Sequence, residues 1–216
     1  ADGKSLSGIT TTASSIASLI ENKLAVLAPD GQIILSAHAL ATLQNSVVKN
    51  SGQLSATSLT EKGGKIVLMS DKIELTRTRQ IEANGPLGGG SVLVGGDWQG
   101  SGDLRQATRV TMETGASIDA SATHNGDGGK VVLWSDVHNT TSETKVSGAI
   151  YARAGTNGGD GGQIETSGHM LDANNATGDA SAPHGRGGEW LFDPYNVTIT
   201  STGTLTQANA ASSGTW

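Results

Sequence analysis

The 216-residue chain contains no cysteine. That excludes a disulfide scaffold, thiol catalysis and thiolate metal centres together. Aromatic residues are 3% of it and charged residues 16%, so the large side chains that fill a wide globular core are scarce. The 14 Lys and Arg are outnumbered by 20 Asp and Glu, for a net charge of -6. A nucleic-acid partner would need a basic face, and none is visible. No apolar run reaches the roughly 20 residues of a membrane span, and no basic-then-apolar signal opens the chain. It reads as not membrane-embedded, and its opening ADGKSLSGITTT reads as the interior of something longer. No cofactor is expected.

What is abundant is glycine, at 31 residues, and it is placed periodically. Asp30-Gly31, then Gly-Gly pairs ending at 64, 90, 129, 162 and 188, each precede a short apolar segment, at steps of 33, 26, 39, 33 and 26 residues. Alternate residues of a strand face opposite ways. One parity of these segments carries Ile33 and Leu35, Ile66 and Leu68, Val92 and Val94, Val131 and Leu133, Ile164 and Thr166, Trp190 and Phe192. Only Thr166 is polar, so this side faces a core. The other parity admits Ser36, Gly95, Glu165 and Asp193, and is read as reaching solvent or a loose outer layer.

A second strand precedes five of the six, with Leu54, Ile81, Ile118, Ile150 and Gly178 inward. Each is followed two residues on by an alanine: Ala56, Ala83, Ala120, Ala152 and Ala180. Gly178 in an isoleucine slot predicts local thinning. A third, weaker strand fits at 72–76, 109–112 and 144–147. Three short strands per turn, Gly-rich corners and a repeat of about thirty residues describe an all-β parallel β-helix, a three-sided solenoid. With coils ~4.8 Å apart, like residues stack on like. The expected organisation is a lead-in or first coil over 1–29, β-helix repeats over 30–199, and a polar connection to a following module over 200–216. Apolar positions 16, 19, 20, 24 and 27 also permit a helix over 14–28, against the alternative that AVLAPDG closes a coil.

Several stretches are similar to segments of the large exoproteins of bacterial two-partner secretion. They are NKLAVLAPDGQIILSA (22–37), SVVKNSGQLSA (46–56), GGSVLVGGDWQGSG (89–102), GASIDASATHNGDGGKVVLWSD (115–136), GGQIETSGH (161–169) and GGEWLFDPYNVTI (187–199). The likeness is to the filamentous-haemagglutinin and high-molecular-weight adhesin type, over about residues 22–199. It implies a right-handed β-helical stalk, secreted through an outer-membrane two-partner transporter and displayed on or shed from the bacterial surface. That stalk would serve attachment to host cells, matrix or other bacteria through a receptor or glycan the sequence does not name. The reading finds no counterpart of the family's amino-terminal secretion domain. The segment ending LFDPYNVTI is similar to the stretch that closes such a helix.

Candidate chemistry is sparse. Asp127 and Asp160, in Gly-Asp-Gly-Gly runs, superficially resemble calcium-binding repeats. Those need a nine-residue period that is missing here, and a tight turn is the simpler reading. Asp119 and Asp179 sit at equivalent outward corners, two coils apart by the repeat, with Tyr151 between and no basic partner evident. Paired acids would suit a polysaccharide-degrading β-helical enzyme, the alternative to an adhesin, but the basic residues are scattered and no catalytic residues are assigned. His124 and His184 read as corner hydrogen-bonding groups. Trp190 is expected in the core, while Trp98, Trp134 and Tyr151 are possible ligand contacts or the floor beneath a packed loop. Asn139, Asn175 and Asn196 begin Asn-x-Thr sequons. The resemblance implies glycosylation of such residues by a cytoplasmic transferase, although a Thr-rich chain also forms them by chance.

Overall fold

The computed structural model describes residues 5–12 (backbone only), 19–38, 46–76 and 80–195, with the side chain of His38 omitted. Among the described residues nineteen strands form three sheets. The first sheet has seven: β1 (Ser5–Thr12), β4 (Gln32–His38), β7 (Lys65–Met69), β10 (Ser91–Val94), β13 (Lys130–Trp134), β16 (Gln163–Gly168) and β19 (Glu189–Pro194). The second has six: β2 (Leu19–Asn22), β5 (Val47–Asn50), β8 (Lys72–Leu75), β11 (Arg109–Met112), β14 (Glu143–Val146) and β17 (Met170–Asp172). The third also has six: β3 (Ala25–Leu27), β6 (Gln53–Ser55), β9 (Gln80–Glu82), β12 (Ser117–Asp119), β15 (Ala149–Tyr151) and β18 (Thr177–Asp179). Within each sheet every strand lies parallel to its neighbours, and each is separated from them in sequence by one coil. The architecture is a three-sided parallel β-helix.

The register is that of the glycine repeat. Ile33 pairs with Ile66, Ile66 with Val92, Val92 with Val131, Val131 with Ile164, and Ile164 with Trp190. On the third sheet Leu54, Ile81, Ile118 and Ile150 align in the same way. These residues form one continuous core with Val48, Ile73 and Val110 from the second sheet. Most have no exposed surface, and full burial of each aliphatic side chain is worth about 1.5–3 kcal/mol.

The corner between third and first sheets explains the conserved spelling of the repeat within the chain. The second glycine's N–H donates to the carbonyl of the repeated alanine: Gly64 to Ala56, Gly90 to Ala83, Gly129 to Ala120, Gly162 to Ala152 and Gly188 to Ala180, all at 2.7–2.8 Å. The alanines at the first four of these corners have 0% exposure, so a longer side chain would enter the core. A Cβ on Gly128 would lie 1.9 Å from the Ala152 carbonyl oxygen of the next coil. One on Gly129 would lie 2.1 Å from the Gly90 oxygen of the previous coil. The pair is required because backbone meets backbone there.

Of the two readings of 14–28, residues 19–27 follow the coil-closing one: they are β2 and β3, with no helix, while 14–18 lie outside the described residues. Leu19, Leu24 and Leu27 of the helical set are 56%, 75% and 59% exposed, and Ile20 alone of the set's described members is buried. Backbone pairing with β5 and β6 outweighs a moderate helical period. At Gly178 the coil does not thin: a Cβ there would stand 2.3 Å from the Trp190 ring, so the indole fills the vacated isoleucine slot. The proposed connection over 200–216 lies outside the described residues.

Candidate functional site

The first sheet is buried on both faces through much of its length. Outward Val67, Leu93, Val132 and Trp134 form a second apolar cluster, joined by Ile34, Met69, Trp98, Leu104 and Val137. It is roofed by the segment between β10 and β11. Asp97 accepts a hydrogen bond from the Trp98 N–H at 2.7 Å and opens a single 3-10 turn, Trp98–Gly100. Gly96 and Gly100 lie flat on the Trp134 indole, where a Cβ on either would come within 2.5 Å of the ring. The Gln99 N–H donates to Glu165 at 2.8 Å, and Arg105 pairs with the buried Asp71. Asp71 also accepts from the Ser46 N–H and hydroxyl at 3.0 and 2.8 Å.

Trp134, a sequence candidate for ligand contact, is therefore 2% exposed beneath its own loop and offers no surface to a ligand. Trp98 is half-buried, with the Lys130 ammonium 5.5 Å from its ring centroid. Tyr151 carries the Arg153 guanidinium at 4.7 Å. Glu165 was missed as a site residue. Burial pushes its carboxyl up, against hydrogen bonds from Gln99 and Ser167 that lower it. The signal was present in the sequence: its outward counterparts on the other coils, Ile34, Val67, Leu93, Val132 and Leu191, are all apolar. Continuous apolar runs mark strands covered on both faces.

The corner acids do not converge on an open site. Asp119 and Asp179 flank Tyr151 in register. Contrary to the sequence reading they share a basic partner: Arg153 stands 3.7 Å from Asp119 and 4.0 Å from Asp179. A general acid–base pair needs room for substrate between its carboxyls, and a guanidinium occupies it here. The Asp127 carboxylate accepts the Asp160 N–H at 2.8 Å. Asp160 in turn accepts the Arg186 N–H and, through its other oxygen, Nε and a terminal nitrogen of the guanidinium at 3.0 and 2.8 Å. The Arg186 backbone N–H, then its guanidinium, hold the Asp160 carboxyl below its ordinary range. These acids serve as turn acceptors. His124 bonds Asn157 of the next coil through its ring, and His184 is exposed. Among the described residues no cluster of three or more His, Asp or Glu could hold a metal.

The sequon residue Asn139 is half-buried, and its side-chain oxygen accepts the Thr141 N–H and hydroxyl at 3.1 and 2.9 Å. Asn175 is exposed, and Asn196 lies outside the described residues. Neither of the two described sequons is bonded to Trp98, Trp134 or Tyr151.

No protein-family model matches the chain. Over 88 residues, 41% of its length, it is 33% identical to a heme/hemopexin-binding protein of Haemophilus influenzae, of which the match spans 9%. The crystal structure of the HMW1 secretion domain from Haemophilus influenzae is similar with a TM-score of 0.59 and 26% identity, over 81% of this chain and 49% of that one. The chain thus spans about half of the solved domain and a small part of the curated relative. Both relatives are exoproteins of two-partner secretion, and this chain is similar to a β-helix segment of that exoprotein type. The filamentous-haemagglutinin and high-molecular-weight adhesin resemblance holds. One expectation is overturned: the solved relative is itself a secretion domain, so the chain does have a match to part of such a domain. Neither relative is named as an enzyme.

Proposed function

We propose that this chain is part of the rigid stalk of a bacterial adhesin, secreted through an outer-membrane two-partner transporter and held on or near the cell surface. The unbroken register of the first sheet from β4 to β19 supports this reading most directly. Coils of 26, 33 and 39 residues each advance the axis by one strand, so length is gained rigidly whatever the loops do. Its task is reach and multivalent contact with host cells, matrix or other bacteria. The carboxylates tied to Arg153 and Arg186 weigh against the polysaccharide-degrading alternative. We further propose that Asn139, Asn175 and Asn196 are glycan acceptors, with exposed Asn175 the most accessible of the described pair. Intact mass of the native protein tests this: a mass equal to that of the polypeptide removes it.

Excising one whole coil, 130–162, from the full-length parent tests the stalk reading, because it preserves register while shortening the rod. Secretion retained with weaker adhesion to cells is expected. Unchanged adhesion at equal surface display would contradict a role in reach. A binding screen of the isolated chain against glycans, matrix proteins, haem and hemopexin separates stalk from tip: a stalk binds none of them.

A further inference from the structure

Between β7 and β8 the chain turns from first to second sheet through two residues, Ser70 and Asp71, but from β10 to β11 it takes the long course from Gly95 to Thr108. That detour is wound tightly. Gly95, Gln99, Gly100 and Gly102 have φ of 78°, 53°, 63° and 71°, and Gln99 is a residue for which that region is costly. One end is pinned by Arg105 on Asp71. The tip is held by the Gln99 N–H on Glu165, 66 residues away in sequence. Beneath it the Trp134 indole N–H is buried without a hydrogen-bond partner. Glu165 has 0% exposure between strand neighbours Val132 and Leu191, and its other oxygen accepts the Ser167 hydroxyl at 2.9 Å.

We propose that residues 96–106 are a pH-responsive strap, with Glu165 as its catch, that grips Trp134 most firmly in acid and lifts as the pH rises, uncovering the apolar strip of Leu93, Val132 and Trp134. A closed strap strips water from the carboxyl, and burial is the largest influence on its titration. The charged groups facing it are Lys130 on β13, which opposes that influence, and Asp193 on β19, which adds to it. On the strap itself, Asp97 is engaged with the Trp98 N–H and Arg105 with Asp71. A protonated Glu165 still accepts from Gln99 through one oxygen and donates to Ser167 through the other. Because the covered carboxyl titrates above the uncovered one, its contribution to closure is complete below the ordinary carboxylate range. That contribution is lost as pH rises through the raised value. The Arg105 pin keeps the lifted segment attached.

Hydrogen-exchange NMR of the 216-residue chain reads this directly, through protection factors of the Gln99 amide and the Trp134 indole N–H from acid to neutral pH. Both are expected to fall as pH rises, by up to about tenfold for each pH unit separating the covered and uncovered titrations. Core amides of Ile66 and Val131 should stay constant. Glu165→Gln, which keeps an acceptor but cannot ionise, should hold both sites protected throughout. A flat wild-type profile overturns the proposal whether or not the variant folds, and so does an E165Q profile that follows wild type.

Discussion

Among the described residues the paired glycines carry some of the tightest steric constraints. Neither Gly128 nor Gly129 has the positive φ that would make alanine conformationally awkward. At such positions alanine ordinarily stabilises by about 0.4–1 kcal/mol through the unfolded state. Here the sign reverses, because the new methyl meets carbonyl oxygens on adjoining coils. Gly129→Ala is expected to cost about 3 kcal/mol in urea unfolding; a neutral or stabilising result would show that the coils can separate at this corner. Asp160→Asn has the opposite character. A depressed carboxyl contributes above its ordinary range and loses that contribution as pH falls through the lowered value. Its Arg186 partner is highly exposed, however, and the pair is screened by water. The thermal midpoint of Asp160→Asn should stay within error of wild type at neutral pH.

Strands were legible in the sequence where inward residues were large and regular. The runs ending at Leu68, Val94 and Leu133, and the Leu-x-Ala or Ile-x-Ala spelling before each corner, gave both parity and period. The second sheet was harder to read, because its strands are short and polar outside: Glu21, Lys49, Glu74, Lys145 and Asp172 line its outward face with Thr111. Lys49 pairs with Glu74 and Lys145 with Asp172 across neighbouring coils, at 3.7 and 3.4 Å. These pairs add little stability but disfavour a slipped register. The strap was not legible, since its partners Asp71 and Glu165 come from other coils and only the stacked register brings them close. Ile118→Ala, in the middle of the third sheet, should cost about 2–5 kcal/mol by leaving a cavity between Ile81 and Ile150. Replacing 96–106 by a link as short as that between β7 and β8 should leave far-ultraviolet circular dichroism unchanged. It should raise binding of a hydrophobic dye, because Leu93, Val132 and Trp134 lose their cover. Unchanged dye binding would show that the outer cluster is closed by other residues.

Along the whole molecule each coil touches chiefly the coils above and below it, so stability accumulates by neighbouring interfaces. An axial ruler follows from this geometry, and the absence of native cysteine allows spin labels to be placed by substitution without background. Labels on outward residues of the first sheet, at Lys65 with Gln163, Lys65 with Glu189 and Gln32 with Glu189, span three, four and five coil steps. Pulsed electron-electron resonance should give separations of about 14, 19 and 24 Å, rising by one strand spacing per coil regardless of loop length. Separations that rise unevenly, or that track the number of intervening residues, would contradict an in-register parallel stack.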